Sequence, residues 1–126
     1  MIVGVGVDIV DVNRIEESLA RFGDRFLNKI ISHPEVRVEL RGRQLTAYVS
    51  RQFAAKEAVS KALGTGVRAG VSFGAIQVLR NRYGVPYVEL VGKAAERARR
   101  IGASNIQISL SDERDYAIAY VIASLE

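Results

Sequence analysis

Residues 51–66 of the chain read RQFAAKEAVSKALGTG. The apolar residues of this stretch recur at the i, i+3, i+4, i+7 spacing of one helix face, and they are Ala55, Ala58, Val59 and Ala62. Glu57 and Lys61 project from the opposite face and lie one turn apart, because consecutive helix residues are about 100° apart. The pattern predicts a long helix, from about residue 45 to residue 63, that carries a carboxylate and an ammonium group on its outer side.

The N-terminal residues 2–10 alternate in the period of two that is typical of a β-strand. Val3, Val5, Val7 and Ile9 fall on one face of this strand, and Gly4, Gly6 and Asp8 fall on the other. Glycine weakens a strand, but it allows another backbone or a ligand to come close. We therefore expect Asp8 to lie on a face that something approaches closely.

The remaining chain mixes further helices and strands. A helix is predicted over residues 14–22, ended by Gly23, and a second is predicted to begin at the capping-box residues 32–35 and to be interrupted by Gly42. Gly64, Gly66 and Gly70 follow the long helix, then come a hairpin of strands 76–80 and 87–91, a basic helix 93–101 and strands 106–110 and 116–123. No regular βαβ repeat is present, so we expect one α+β domain over residues 1–126.

The composition of the chain limits the kinds of metal site that it can form and indicates where in the cell it acts. The chain has 126 residues, a net charge of +4, no cysteine and one histidine, His33. A metal site must therefore use oxygen ligands, which favour Mg²⁺, Mn²⁺ or Ca²⁺. No apolar run is long enough to span a bilayer, and the first residues lack the cationic region of a secretion signal, so we expect a soluble cytoplasmic protein without a membrane partner.

Asp8 and Glu57 are the candidate metal ligands, since two hard carboxylates can hold Mg²⁺ with water and substrate phosphate. Lys61 is a candidate phosphate partner. An ordinary alternative exists, because a glutamate four residues before a lysine also forms a favourable exposed helix pair. The glycines offer no specific motif of their own: residues 4–9 lack the third glycine of a dinucleotide fingerprint, and residues 64–67 lack the Gly-Lys-Ser/Thr ending of a P-loop.

Three segments together resemble a known family: VGVDIV at residues 5–10, the stretch at residues 51–66, and GVP at residues 84–86. In order and spacing they resemble the holo-[acyl-carrier-protein] synthases, which are small bacterial 4′-phosphopantetheinyl transferases. The resemblance implies transfer of 4′-phosphopantetheine from coenzyme A to a serine of apo acyl carrier protein, dependent on Mg²⁺, with release of adenosine 3′,5′-bisphosphate, in fatty acid biosynthesis. It also implies the fold of that superfamily, a mainly antiparallel sheet packed with helices.

The resemblance gives these residues roles. Asp8 and Glu57 match the magnesium ligands, Lys61 matches the lysine beside the coenzyme A pyrophosphate, and Glu57 is the candidate base, acting directly or through metal-bound water. Lys61 either donates a proton to the leaving phosphate or holds its charge. The other implied cofactor-binding residues are Gly64, Gly66, Gly84, Pro86 and Gln107, and the implied carrier-protein contacts are Arg14, Arg25 and Lys29. The family is typically trimeric, with active sites between subunits.

Gln107 departs from the family pattern, because many relatives have histidine at this position. Glutamine can form hydrogen bonds but cannot become cationic. Two alternatives to an active transferase therefore stay open. One is a family member that binds the cofactor but transfers inefficiently, and the other is a non-catalytic basic module that binds RNA or an acidic protein. The transferase hypothesis includes no nucleic acid partner.

Overall fold

A computed structural model describes residues 1–67 and 71–126 of the chain; Gly70, which was expected to follow the long helix, lies outside these residues. The helices are α1 (Val12–Phe22), α2 (Asp24–Ile30), α3 (Gly42–Ala62) and α4 (Gly92–Ile101). The strands are β1 (Ile2–Asp11), β2 (Ile76–Arg80), β3 (Pro86–Leu90), β4 (Asn105–Asp112) and β5 (Tyr116–Ser124). In these ranges, no helix is long and apolar enough to cross a membrane.

The strands form two antiparallel sheets, one of three strands in the order β1-β5-β4 and one made by the β2–β3 hairpin. Helix α3 packs against β1 and β5, and its stripe at Ala55, Ala58 and Val59 is fully buried. The α+β class and the hairpin predicted from the sequence are confirmed. The long helix is confirmed too, although it begins three residues earlier than predicted.

Gly4 and Gly6 let the backbone of β1 rest directly on α3. A Cβ atom added at Gly4 would lie 2.0 Å from the carbonyl oxygen of Ala62, and one at Gly6 would lie 1.8 Å from the carbonyl oxygen of Ala58. No side chain fits at either position without moving the strand, because real Cβ atoms do not approach another atom this closely. The expected close approach is therefore made by another backbone, and it fixes the distance between β1 and α3.

Two predictions for residues 23–45 were wrong. Ser32 and Glu35 do form a capping box, but it caps a single 3₁₀ turn at His33–Glu35 and not a longer helix. Gly42 begins α3, with φ near 56°, where we expected it to interrupt a helix. Helix α2, which begins directly after Gly23, was not predicted.

The outer face of the three-stranded sheet is apolar and open on β1 and β5. Val5, Val7 and Ile9 are 51%, 49% and 63% exposed, and in β5 they lie beside Ile122, Tyr120 and Ile118. Val5, Val7 and Ile9 therefore share one face of β1, as the alternation in the sequence predicted. Val3 differs, because a register shift between Ile2 and Gly4 turns its side chain toward the core. We refer to the exposed side chains of Val5, Val7, Ile9, Ile118 and Tyr120 as the apolar face.

A buried ion pair lies on the other side of α3. The side chains of Lys56 and Glu35 are both inaccessible to solvent, and Lys56 Nζ lies 2.6 Å from Glu35 Oε1. The same ammonium group donates to the carbonyl oxygens of Ile30 and Phe73, so its three protons are all used. This pair joins the end of α2, the 3₁₀ turn and the segment before β2 to α3. Buried charges are tolerated where they are paired and fully hydrogen-bonded in this way.

Candidate active site

Strand β1 and helix α3 bring Asp8, Glu57 and Lys61 together. Lys61 Nζ donates to Asp8 Oδ1 at 3.0 Å and to the carbonyl oxygen of Val7 at 2.9 Å. The Asp8 side chain is only 16% exposed, whereas that of Lys61 is 50% exposed. Asp8 can reach the helix because it lies on the same face of β1 as Gly4 and Gly6, where strand and helix backbones touch. The contact therefore depends on the glycines around it.

Glu57 shares the electrostatic environment of this pair. Partial burial raises the pKa of Glu57 above its ordinary value, the negative charge of Asp8 raises the pKa further, and the positive charge of Lys61 opposes both effects. Two carboxylates close to each other in a partly dry site favour a cation beside them. Raised carboxyl pKa values are also typical of groups that accept a proton during catalysis.

The donor set fits a magnesium ion that is held jointly with a substrate. The described residues contain no cluster of three or more histidine, cysteine or acidic side chains, so Asp8 and Glu57 are the carboxylates available here. Mg²⁺ commonly binds through one or two carboxylates and completes its octahedral shell with water and phosphate oxygens. The two carboxylates that line one cavity are the observation that supports a cation at this place.

A cavity of about 260 Å³ opens beside the two carboxylates, between β1, α1, α2 and α3. Asp8, Glu57, Phe26, Phe53 and Arg14 line it. Arg14 was predicted as a carrier-protein contact, and it is an exposed residue of the cavity lining. Arg25 and Lys29, the other two predicted contacts, are both exposed in α2. The helix that was missed from the sequence thus carries two of the three basic residues.

Gly64 and Gly66 end α3 with positive φ angles of 80° and 66°. The amide of Gly64 donates to the carbonyl oxygen of Lys61, and the amides of Thr65 and Gly66 donate to that of Ser60. These amide protons close the helix and are already used, so any contact of this loop with a cofactor has to use other atoms. The two glycines follow Lys61 within five residues of the chain, and their cofactor contact stays a prediction.

The other predicted cofactor residues lie elsewhere in the chain. Gly84 and Pro86 line a larger cavity of about 870 Å³, which shares no lining residue with the cavity at Asp8. Gln107 is exposed on β4 and lies beside Ile122, so it is on the outer face of the sheet, opposite to Asp8. The structure therefore groups Asp8, Glu57, Lys61 and the two α3-end glycines. It does not group Gly84, Pro86 or Gln107 with them.

Sequence reasoning missed the basic side chains of the larger cavity, which are Arg37, Arg51, Arg80 and Arg82. They come from three separate segments of the chain, and only Arg51 lies within the recognised motif. Lys56, the other basic residue in this part of α3, faces away from this cavity's arginines and is buried with Glu35. Its position on the inner side of α3 was visible in the helical spacing, since Lys56 lies three residues before Val59 of the buried stripe.

Comparison with known proteins identifies relatives along nearly the whole chain. The profile of the 4′-phosphopantetheinyl transferase superfamily matches residues 4–121. The chain is 46% identical over 121 residues to a holo-[acyl-carrier-protein] synthase of Vibrio vulnificus (strain CMCP6), and the match covers 96% of each chain.

Solved structures agree with the sequence relatives. The holo-[acyl-carrier-protein] synthase of Neisseria meningitidis superposes with a TM-score of 0.89 at 34% identity, covering 98% of this chain and 99% of that one. The enzyme of Bacillus anthracis str. Ames, solved in complex with CoA (3′,5′-ADP), superposes with a TM-score of 0.84 at 36% identity, covering 100% of this chain and 99% of that one.

Proposed function

The chain belongs to the holo-[acyl-carrier-protein] synthases of the 4′-phosphopantetheinyl transferase superfamily, and from this premise we propose the reaction and the residues that perform it. The enzyme transfers 4′-phosphopantetheine from coenzyme A to a serine of apo acyl carrier protein, with Mg²⁺, as a step that supplies fatty acid biosynthesis. Residues 1–126 act as one domain in the cytoplasm. The observation that carries the proposal is the partly buried Asp8–Glu57 pair with Lys61 bonded to Asp8.

The reaction exchanges one phosphorus–oxygen bond for another. The serine oxygen of the carrier protein forms a bond to the phosphorus that bears pantetheine, and the bond from that phosphorus to the bridging pyrophosphate oxygen breaks. Adenosine 3′,5′-bisphosphate leaves with the bonding electrons. Such transfers depend chiefly on positioning and charge neutralisation.

Glu57 accepts the serine proton, directly or through a water molecule. A serine hydroxyl is a weak nucleophile at neutral pH, so its proton has to be removed as the new bond forms. Glu57 is a partly buried carboxylate that lines the candidate cavity, so it can lie within reach of that hydroxyl. Its position at the cavity beside Asp8 and Arg14 gives a carrier-protein serine access from the side where the basic α1 and α2 residues lie.

Lys61 stabilises the negative charge that develops on the leaving phosphate. Its ammonium group is half exposed and lies at the end of α3, where it can turn from Val7 and Asp8 toward a ligand. It acts either as a fixed charge or as a proton donor to the leaving oxygen. Asp8 and Glu57 would hold Mg²⁺, which supplies charge neutralisation and alignment of the pyrophosphate oxygens.

A homotrimer would complete the site. Within one protomer, Gly84 and Pro86 line a different cavity from Asp8, and Gln107 is on the opposite face of the sheet. A cofactor that contacts all of them needs residues from a second subunit. The apolar face provides a surface for such an assembly, because a large exposed apolar patch is typical of an interface.

Mass spectrometry of a carrier protein tests the transfer. Apo acyl carrier protein incubated with the enzyme, coenzyme A and Mg²⁺ is expected to gain one phosphopantetheinyl group, and omission of the metal is expected to prevent the gain. A carrier protein that stays unmodified under every divalent metal would refute the proposal. Salt-sensitive binding of RNA that ignores coenzyme A and Mg²⁺ would instead favour a basic binding module, which leaves the Asp8–Glu57 pair unexplained.

A further inference from the structure

The C-terminal end of α3 is held from outside the helix by one side chain of α4. Arg97 Nε donates to the carbonyl oxygen of Leu63, the residue that caps α3, at a distance of 2.8 Å. Leu63 is fully buried and Arg97 is partly buried. A cationic donor is favourable at this place, because the last carbonyl groups of a helix carry a partial negative charge and lack partners within the helix.

No other group competes for this bond in the part of the chain that the structure describes. Across residues 1–67 and 71–126, no backbone amide donates to the carbonyl oxygen of Leu63, and no carboxylate forms an ion pair with Arg97. A buried carbonyl group that loses its donor is costly. The end of α3 therefore depends on the guanidinium group of a residue that lies 34 positions away in the chain.

The same guanidinium group lies over the turn that follows α3, residues 64–66, which we call the exit turn. A Cβ atom added at Gly64 would lie 3.2 Å from Arg97 Nη2, so the glycine presents bare backbone to the arginine. The amide of Gly64 donates to the carbonyl oxygen of Lys61 at 3.0 Å. Arg97 therefore contacts the exit turn at its first residue, and the turn is bonded back to the backbone of Lys61.

Two consecutive peptide groups at the end of α3 contact two different elements. The carbonyl group of Ala62 rests on β1 at Gly4, where no side chain fits, and the carbonyl group of Leu63 is bonded to Arg97 in α4. Helix ends fray unless such contacts hold them. Because Lys61 and the exit turn lie on either side of these two groups, their positions depend on both contacts.

We propose that Arg97 is a positioning residue, which holds the exit turn in the arrangement that binds coenzyme A. The inference rests on the proposed function and on the predicted contact of Gly64 and Gly66 with the cofactor. Arg97 acts through the backbone of Leu63 and does not have to touch the cofactor itself. Its loss is expected to weaken the binding of coenzyme A, whereas carrier-protein binding, which we predict at α1 and α2, is expected to stay unchanged.

Hydrogen exchange tests the positioning without a ligand or a reaction. Arg97→Met removes the donor and keeps an unbranched side chain. The amides of the exit turn are expected to exchange about 10- to 100-fold faster in this variant, the range for a lost hydrogen bond to a charged group. Arg100→Met is the matched control, because Arg100 belongs to the same helix, is exposed and forms no ion pair with the described residues. Exchange in the control is expected to stay within about twofold of wild type.

Steady-state kinetics separate positioning from a general loss of structure. We expect the KM for coenzyme A to rise about tenfold in Arg97→Met, because affinity falls with the fraction of protein in the binding-competent arrangement, while the KM for the carrier protein stays within about twofold. A variant that is merely less folded would have a lower maximal rate and unchanged KM values for both substrates. Arg100→Met loses the same charge, so its KM values control for the weaker attraction of an anionic cofactor.

Arg97→Lys guards against a variant that fails to fold, because it keeps the charge and one donor at the end of α3. Its KM for coenzyme A is expected to rise only about threefold, and thermal unfolding of each variant shows whether the fold is kept. The inference is overturned if exchange in the exit turn and the KM for coenzyme A are unchanged in the folded Arg97 variants. Equal rises in Arg97→Met and Arg100→Met would also overturn it, since charge alone would then explain the effect.

Calorimetry with coenzyme A distinguishes a failure of this inference from a failure of the proposed function. If wild type transfers phosphopantetheine and the Arg97 variants bind coenzyme A as wild type does, the inference fails and the function stands. If wild type transfers nothing, but Arg97→Met binds coenzyme A about tenfold more weakly and Arg100→Met does not, the function fails and the inference stands.

Discussion

The substitution Gly6→Ala is expected to change both the stability of the fold and the geometry of the candidate site. The added Cβ would lie 1.8 Å from the carbonyl oxygen of Ala58 and 2.9 Å from the amide nitrogen of Ala62. Both atoms belong to the backbone of α3, so no side-chain rotation relieves the clash. The first contact must lengthen to at least 3.0 Å, and β1 and α3 must therefore separate.

From this separation we estimate the loss of stability and the loss of transfer activity. Overpacking of this kind costs about 3 kcal/mol, which lowers the melting temperature of a domain of this length by roughly 10 °C. The Lys61–Asp8 contact spans the same strand and helix at 3.0 Å, and a shift of about an ångström breaks it. We expect transfer to fall by about 100-fold in Gly6→Ala protein that is still folded.

Differential scanning fluorimetry, circular dichroism and the carrier-protein transfer assay measure these effects. Gly74→Ala is the control, because a Cβ at Gly74 meets nothing within 4 Å and its φ is not positive; it is expected to unfold within about 2 °C of wild type. A Gly6→Ala protein with wild-type melting temperature and activity would refute the claim that β1 and α3 are in backbone contact.

Three further substitutions test other parts of the molecule. Lys56→Met leaves Glu35 buried and unpaired and should cost about 3–5 kcal/mol in urea unfolding, whereas Lys61→Met should cost under about 1 kcal/mol; equal costs would contradict the buried pair. Glu57→Gln should abolish transfer but keep the fold, and full activity would remove Glu57 from the mechanism. Because the folded-state pKa of Glu57 is raised, metal-free wild type should lose stability as the pH rises through that pKa, and Glu57→Gln should not; identical pH profiles with a chelator present would contradict this sign. Ile118→Glu, in the β5 part of the apolar face, should produce monomers in sedimentation experiments, while Ser111→Glu beside it on β4 should not, and an unchanged assembly in both would exclude this face as the interface.

Regular periodicity explains why much of the fold could be predicted. The alternation along β1 and the apolar stripe of α3 are local patterns, and the structure confirms the stripe and, from Val5 to Ile9, the alternation. Helix α2 has only seven residues and starts directly after Gly23, so it gives too few turns for a pattern. The capping box at Ser32 and Glu35 was a true local signal, but the Glu35 carboxylate also binds Lys56 and Gln52, and such tertiary contacts are not visible in the sequence.

In the candidate site, too, the residues that belong to local sequence patterns could be predicted, and those that depend on tertiary contacts could not. The glycines around Asp8 and the one-turn spacing of Glu57 and Lys61 allowed these three residues to be predicted from spacing and resemblance together. The basic lining of the larger cavity, which includes Arg80, could not be predicted, because the cavity is formed by segments that are distant from one another in the sequence. A single basic residue in a strand gives no sign of whether its charge is neutralised.

Adjacent residues Lys56 and Glu57 impose opposite requirements on the rotation of α3. Lys56 has to point into the interior, where three oxygen atoms hold its ammonium group, and Glu57 points outward to the cavity with Asp8. These two contacts together fix the rotation of α3 about its own axis. A rotation by a few tens of degrees would move the Glu57 carboxylate out of the site, and it would also break the hydrogen bonds of the Lys56 ammonium group. Changes in carrier-protein preference are therefore expected at exposed positions of α2 such as Arg25 and Lys29, which do not contact Lys56.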